Sequence, residues 1–251
     1  MKKIVAVINQ KGGVGKTTTS INLASGLADE NKSVLLIDFD PQANCTVGVG
    51  IEPGSFTYAI HDVLINKIDA RDAIISTPIK GLDIIPSHIR LDHAEQQLTP
   101  QMFKESRLKK AIENLSYDYI IIDCRPSLGT LTVNALFACN FIIIPCEISK
   151  YSLDGLSNLL ETVEIVKESE FDSFKDNIRI LITKYDSRKK VSNDWAFNEL
   201  KNYDEMLLNL KIRANESINQ AHIAGEPVFR FSKSSIGSED YAMLTQEMLK
   251  V

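Results

Sequence analysis

Two lysines five residues apart, Lys11 and Lys16, enclose three glycines in Lys11-Gly12-Gly13-Val14-Gly15-Lys16-Thr17-Thr18. This combination is suited to gripping a polyphosphate. Glycines let backbone N–H groups approach phosphate oxygens, and a helix starting just beyond them adds the positive end of its dipole. Lys16 is placed to reach β- and γ-phosphates, and Thr17 to set its hydroxyl on Mg²⁺. Two further groups could do chemistry: the pair Asp38 and Asp40, and Asp123 at the end of Asp118-Tyr119-Ile120-Ile121-Ile122-Asp123. Carboxylates at the carboxyl ends of parallel strands point into the crevice where such sheets bind ligands.

Elements able to position these groups are legible around them. The apolar, β-branched run at residues 4–8 reads as a buried strand leading into the glycine loop, and residues 20–28 suit the helix after it. Residues 33–38 form a second strand; if it persists two residues further, Asp38 and Asp40 share a direction. The alternative for such a pair is a strand end capped by solvated aspartates. Strand patterns recur at residues 81–87, 118–123, 140–145, 178–183 and 207–212. Helical patterns fall at 60–65, 101–115, 152–168 and 238–249, the third aligning Leu153, Leu156, Leu160 and Val163 for core packing. This alternation predicts an α/β fold, one domain over residues 1–251 with a mostly parallel central sheet and helices on both faces, and the loop at Lys11–Thr18 marks it as a P-loop NTPase domain.

Composition narrows the function. A chain of 251 residues, 44% hydrophobic, can bury a large core. No apolar run approaches a membrane span, and the opening residues lack the pattern of a signal peptide. The four cysteines have no C-x-x-C spacing and read as reduced, buried thiols of a cytoplasmic protein. His61, His88 and His93 lack partners at metal-ligand spacing and read as surface or hydrogen-bonded residues. The net charge of −5 does not attract nucleic acid, so any DNA contact needs a local basic patch. The most basic short segment is Lys184-Tyr185-Asp186-Ser187-Arg188-Lys189-Lys190. It is either a solvated loop or a set of DNA-backbone contacts by Lys184, Arg188, Lys189 and Lys190, which need cations but no base code. Arg213, Arg230 and Lys233 could extend such a surface.

The glycine loop has Gln10 where the standard phosphate-loop pattern has glycine, and it adds Lys11. In this it resembles the deviant Walker A box, K-G-G-x-G-K-[ST], of the ParA/MinD group of P-loop ATPases. Asp38-Phe39-Asp40-Pro41-Gln42 resembles that family's switch I, which implies that Asp40 serves hydrolysis. Asp123 matches the Walker B carboxylate that holds Mg²⁺. Cys124-Arg125-Pro126-Ser127-Leu128-Gly129 resembles switch II, D-x-P-P-S-L-G, with Arg125 in place of the first proline. That change loosens the backbone and adds a cation near the phosphates. Residues 183–188 match the family's T-x-Y-D-x-R, and Ile212-Arg213-Ala214-Asn215 stands where the family has I-P-R-N over the adenine, which implies a base contact at Asn215.

The resemblance implies a ParA/Soj-type partition ATPase using ATP and Mg²⁺, with no helix-turn-helix extension ahead of the first strand. By that analogy the ATP-bound homodimer binds double-stranded DNA without sequence preference and sits on the nucleoid. A ParB-like centromere-binding partner stimulates hydrolysis and releases it. Lys11 is then expected to reach across the two-fold axis to the partner's phosphates. The nearest alternative is a MinD-like membrane-associated ATPase of division-site placement, which requires a basic amphipathic C-terminal helix. The sequence ends in a segment whose sole basic residue after Lys233 is Lys250, so no membrane association is expected. A third relative, a reductase resembling the nitrogenase iron protein, would need cluster-bridging cysteines, for which Cys124 is available.

Overall fold

The computed structural model describes residues 2–168 and 177–251; Met1 and residues 169–176 of the expected domain lie outside the described residues. Its centre is an eight-stranded sheet in the order β3-β4-β2-β5-β1-β6-β7-β8. The strands are β1 (Lys3–Val7), β2 (Val34–Phe39), β3 (Ile75–Ser76), β4 (Leu82–Ile85), β5 (Tyr119–Cys124), β6 (Phe141–Glu147), β7 (Ile178–Tyr185) and β8 (Leu207–Arg213). All neighbouring pairs are parallel except β3 with β4. The β7–β8 ladder is irregular, with register shifts between Ile180 and Ile182 and again between Ile182 and Tyr185.

Parallel strands buried on both sides read as continuous apolar runs, because both pleat faces need covering. Alternate residues therefore enter two separate cores. Ile120, Ile122, Ile142 and Ile144 join one cluster, and Tyr119, Ile121, Phe141 and Ile143 the other. The first core is closed by α3 (Leu91–Leu98), α4 (Arg107–Ile112), α5 (Thr130–Ala138) and α6 (Lys150–Glu168). The second is closed by α1 (Lys16–Asp29) and α10 (Ile236–Lys250), with α8 (Glu216–Ala224) and α9 (Val228–Phe231) at its rim. Leu156 and Val163 of α6 are buried, and Leu153 and Leu160 pack against the same cluster, as the helical spacing requires. Two further α-helices among the described residues are α2 (Asn44–Gly48) and α7 (Lys190–Glu199).

Two local expectations are revised. The helix expected over residues 101–115 begins only at Arg107, after a 3₁₀ turn at Lys104–Ser106. Phe103 has φ +56°, a left-handed conformation that an α-helix cannot contain. Strand β2 ends at Phe39, so the alternation that would align Asp38 with Asp40 stops between them.

The sheet order puts the chemistry at one place. Strand β5 lies between β2 and β1, and Asp123 is in register with Asp38 on one side and Val7 on the other. All three stand at carboxyl ends, where the loop from β1 to α1 also begins.

Candidate nucleotide site

The loop after β1 is held from both sides. Asn9 is buried; its Nδ2 donates to Pro145 O at 2.7 Å, and its Oδ1 accepts Lys11 N–H at 2.9 Å. Thr183 Oγ1, at the end of β7, donates to Val14 O at 2.8 Å. Gly13 and Gly15 have φ of +74° and +91°, so glycine is required there by backbone conformation rather than by space. Gly15 precedes the first turn of α1 and offers no side-chain cap, and that turn carries no acidic residue. Its N–H groups and the helix dipole face the loop, which is the arrangement that receives phosphate.

Lys16 begins α1 and is 6% exposed, with Nζ donating to Lys11 O at 2.9 Å. Burial lowers its pKa, against the pull of Asp123, Cys124 and Asp40. Asp123 is buried below it. Ser20 Oγ donates to Asp123 Oδ1 at 2.8 Å, while Oδ2 is buried without a hydrogen-bond partner. Desolvation raises the Asp123 carboxyl to about 6, opposed by the hydroxyls of Thr17 and Ser20 and by Lys16. A buried carboxylate oxygen left over beside a threonine hydroxyl fits a hard divalent cation. Thr17 and Asp123 are thus suited to Mg²⁺.

Asp38 and Asp40 have different surroundings. Asp38 is fully buried, its Oδ2 accepting both N–H and Oγ1–H of Thr46 at 2.7 Å, and its Oδ1 accepting Asp40 N–H at 3.2 Å. Burial, then Asp123, raises its carboxyl to about 7. Asp40 sits in the turn after β2, half-buried, with Oδ1 accepting Gln42 N–H at 3.0 Å. Asp38 organises the segment through Thr46, whose Oγ1 also accepts Ser87 N–H at 3.0 Å. Asp40 is the more available carboxylate.

Lys11 is held within its own chain. Its Nζ donates to Ser149 Oγ and Ser152 Oγ, both at 3.0 Å, and lies 3.9 Å from Glu147 Oε2. Arg125 is engaged elsewhere than the phosphate loop. Its Nη1 donates to Asp92 Oδ1 at 2.9 Å and Glu95 Oε2 at 2.7 Å on α3, so two carboxylates match the cation expected near the phosphates.

A cavity of about 350 Å³ opens beside Gly15 and Thr18. Thr183, Lys184, Asp186 and Lys189 line one wall, and Ile212, Arg213, Ala214 and Asn215 another, with Tyr241 in the lining. Asn215 belongs to this wall and caps α8, its Oδ1 accepting Ser217 N–H at 2.8 Å. The basic residues are distributed unevenly. Lys184 and Lys189 are exposed at the cavity mouth and Lys190 opens α7. Arg188 forms a two-pronged pair with Asp186 at 2.9 and 2.8 Å. Arg213 is bound to the buried Asp240 at 2.9 and 2.5 Å and to Glu239 at 2.7 Å. Arg230 donates to Pro78 O at 3.3 Å, and Lys233 is exposed.

Several site residues escaped sequence reasoning: Asn9, Ser20, Thr46, Ser149 and Ser152. Of these Ser20 had a local signal, one helical turn after Lys16 on the same face of α1. Thr183 is legible as part of the T-x-Y-D-x-R match, though not its bond to the phosphate loop.

Comparison with known proteins agrees with this geometry. Residues 2–180 match the family model described as an AAA domain. The sporulation initiation inhibitor protein Soj of Bacillus subtilis is 41% identical over 99% of this chain and 98% of its own. The chromosome partitioning protein ParA of Myxococcus xanthus is 37% identical over 99% and 88%. Among solved structures, cobyrinic acid a,c-diamide synthase of Mycobacterium smegmatis, with bound ADP and magnesium, superposes with a TM-score of 0.84 at 30% identity, covering 100% of this chain and 95% of that one. A putative plasmid partition protein of Borrelia burgdorferi bound to AMPPNP gives 0.81 at 28% identity, with both chains fully covered. On this sequence and structural likeness, the chain belongs to the ParA/Soj family of P-loop ATPases.

Proposed function

We propose that residues 1–251 form one ATP-driven partition switch, in which Mg·ATP binding drives dimerisation and DNA binding, and hydrolysis resets both. The observation that carries this reading is the pairing of an uncapped helix N-terminus at Gly15 with the unpartnered buried Oδ2 of Asp123. One accepts anionic oxygens and the other a cation, as a metal-bound triphosphate requires. Gly12 to Thr18 hold the phosphates, Lys16 the β- and γ-oxygens, Thr17 and Asp123 the metal, and Asn215 the edge of the base. Bound Mg²⁺ supplies charge neutralisation at the phosphates. Asp40 orients the attacking water. The Soj and ParA relatives support the partition role; a ParB-like partner that stimulates turnover and a cytoplasmic, nucleoid-associated location follow from the motif resemblance.

DNA is the assigned surface rather than membrane. No helix among the described residues is long and apolar enough to cross a membrane. The apolar face of α10 is buried in the core through Tyr241, Leu244 and Met248. Lys184, Arg188, Lys189 and Lys190 provide the DNA contacts, with Arg213, Arg230 and Lys233 as the extension of that surface.

Lys11 gives the test. In the dimer it leaves Ser149 and Ser152 and reaches the partner's phosphates, as an arginine finger does in trans. Lys11→Ala is expected to bind ATP, remain monomeric in ultracentrifugation with a slowly hydrolysed analogue, and lose turnover and DNA co-sedimentation together. A stable Lys11→Ala dimer refutes the trans lysine. Wild-type binding to anionic liposomes instead of DNA refutes the partition role.

A further inference from the structure

Switch II leaves the Asp123 strand through Arg125, where the pattern it resembles has proline. Proline would hold the backbone by fixing φ near −65°. Arginine has no such restraint, and the following turn is tight: Ser127 N–H donates to Arg125 O at 2.9 Å, and Thr132 Oγ1 donates to Ser127 O at 2.5 Å. The restraint comes from α3. Arg125 Nη1 bridges Asp92 and Glu95 at 2.9 and 2.7 Å, with the arginine side chain 25% exposed. The second oxygen of Glu95 accepts the N–H of Leu131 at 3.2 Å, in the first turn of α5. One carboxylate thus holds both ends of residues 125–131. It lies so close to the chain that a Cβ at Gly129 would collide with Glu95 Oε1. Thr99 and Thr130 hydroxyls, 3.1 Å apart, add a second tie between the same elements. The Nε of Arg125 is buried without a hydrogen-bond partner. Leaving a donor so placed is costly, and the two charge-assisted bonds on the same guanidinium offset it.

We infer that Arg125 is a positioning residue for ATP hydrolysis, its ion pair with Asp92 and Glu95 replacing proline as the device that fixes switch II. The inference rests on the proposed ATPase role of the site. Arg125 touches no phosphate in this scheme. It acts through the backbone that follows Asp123, so its loss reduces turnover and spares nucleotide binding.

The test compares Arg125→Ala, Arg125→Pro and Glu95→Gln in the full chain. It reads ATP affinity, turnover at saturating ATP and amide exchange across residues 124–131. Arg125→Ala is expected to turn over ATP about tenfold more slowly, with affinity within about twofold of wild type. Its amides at 125–131 exchange faster while those of residues 11–18 do not. Arg125→Pro restores turnover to within about threefold of wild type and restores slow exchange, because a covalent restraint replaces the ionic one. Glu95→Gln slows the wild type and leaves turnover in the Arg125→Pro background unchanged, since partners in one network do not act additively. Should Arg125→Ala fail to fold, that last pair of variants decides alone. Wild-type turnover in Arg125→Ala, or a Glu95→Gln effect undiminished by proline, overturns the inference. A wild-type chain that hydrolyses no ATP overturns the proposed function instead. Exchange then judges the tether by itself: faster in Arg125→Ala supports it, unchanged removes it.

Discussion

The phosphate loop with its neighbouring strand end, and the region around the adjoining cavity, treat their polar groups in opposite ways. On the phosphate side, Asp123 keeps a buried oxygen unpartnered, Gly15 leaves its helix without a side-chain cap, and burial lowers the pKa of Lys16. On the other side, Arg213 is matched by Asp240 and Glu239, Arg188 by Asp186, and Asn215 by the N–H of Ser217. Buried polar groups are normally satisfied, so one left open beside an uncapped helix N-terminus is where a ligand can complete the structure. Groups already satisfied shape the wall. The difference separates residues whose removal should destroy binding from those whose removal should only reshape it.

The sharpest way to break this contrast is Lys16→Ala. If the phosphate side is the incomplete one, ATP affinity falls by about a hundredfold or more, because a buried charge-assisted contact is lost. Equilibrium binding of a fluorescent ATP analogue measures it. Affinity within a few-fold of wild type would mean that the loop is not the ligand site.

Asp123→Asn sharpens the same contrast through stability. Asp38 and Asp123 hold protons more tightly in the folded chain than at their ordinary value of 3.8, at about 7 and about 6. The folded state therefore binds more protons than the unfolded one between about pH 4 and pH 7, and ligand-free stability falls as pH rises through that window. Asp123→Asn removes one of the two charges. Its melting temperature without ligand should exceed that of wild type at pH 8, by a stability on the order of 1–3 kcal/mol, and the gap should close toward pH 4. In the same variant Mg²⁺ should no longer strengthen ATP binding. Thermal unfolding across pH, with and without Mg·ATP, reads both effects. A gap independent of pH would mean that Asp123 is satisfied in a way the geometry does not show.

These assignments were unequally legible in the sequence. Lys11 to Thr18 could be read directly because the whole device is contiguous and two of its glycines are dictated by positive φ. Asp123 and the strands were legible because a sheet buried on both faces demands unbroken apolar runs. What holds Lys11 was not legible: Ser149 and Ser152 are 138 and 141 residues away, brought close only by the adjacency of β1 and β6. The same applies to Thr46 under Asp38 and to Glu95 under Arg125, pairs that topology creates and no local pattern announces. Asp40 shows a subtler gap. The spacing of two suggested one direction for both aspartates, but the strand ends between them and gives each a separate role in the turn.

The smallest expected effect lies on the wall already satisfied. Arg188→Ala with Lys189→Ala should weaken DNA binding without altering ATP-dependent dimerisation. Each lost phosphate contact lowers the slope of log K against log salt by about 0.9 on duplex DNA. Because Arg188 is shared with Asp186, the reduction should be nearer one contact than two. Titration of duplex DNA at several salt concentrations measures it, and an unchanged slope would move the DNA surface away from the β7–α7 loop.

The uneven ladder between β7 and β8 has a consequence for crowding. A protein that reaches a high local concentration must resist adhesion through its unpaired edges. Sheet rims are the usual hazard, since unpaired N–H and C=O groups invite a neighbour's strand. Here one rim, β3, is two residues long. The other, β8, is interrupted by two register shifts and carries Lys211, with its ammonium 4.8 and 4.5 Å from the Tyr185 and Phe197 rings, and the ion-paired Arg213. Bulges and charge along a rim deny a second sheet the straight template it needs. The irregularity works as colloidal insurance, keeping concentrated molecules from joining edge to edge.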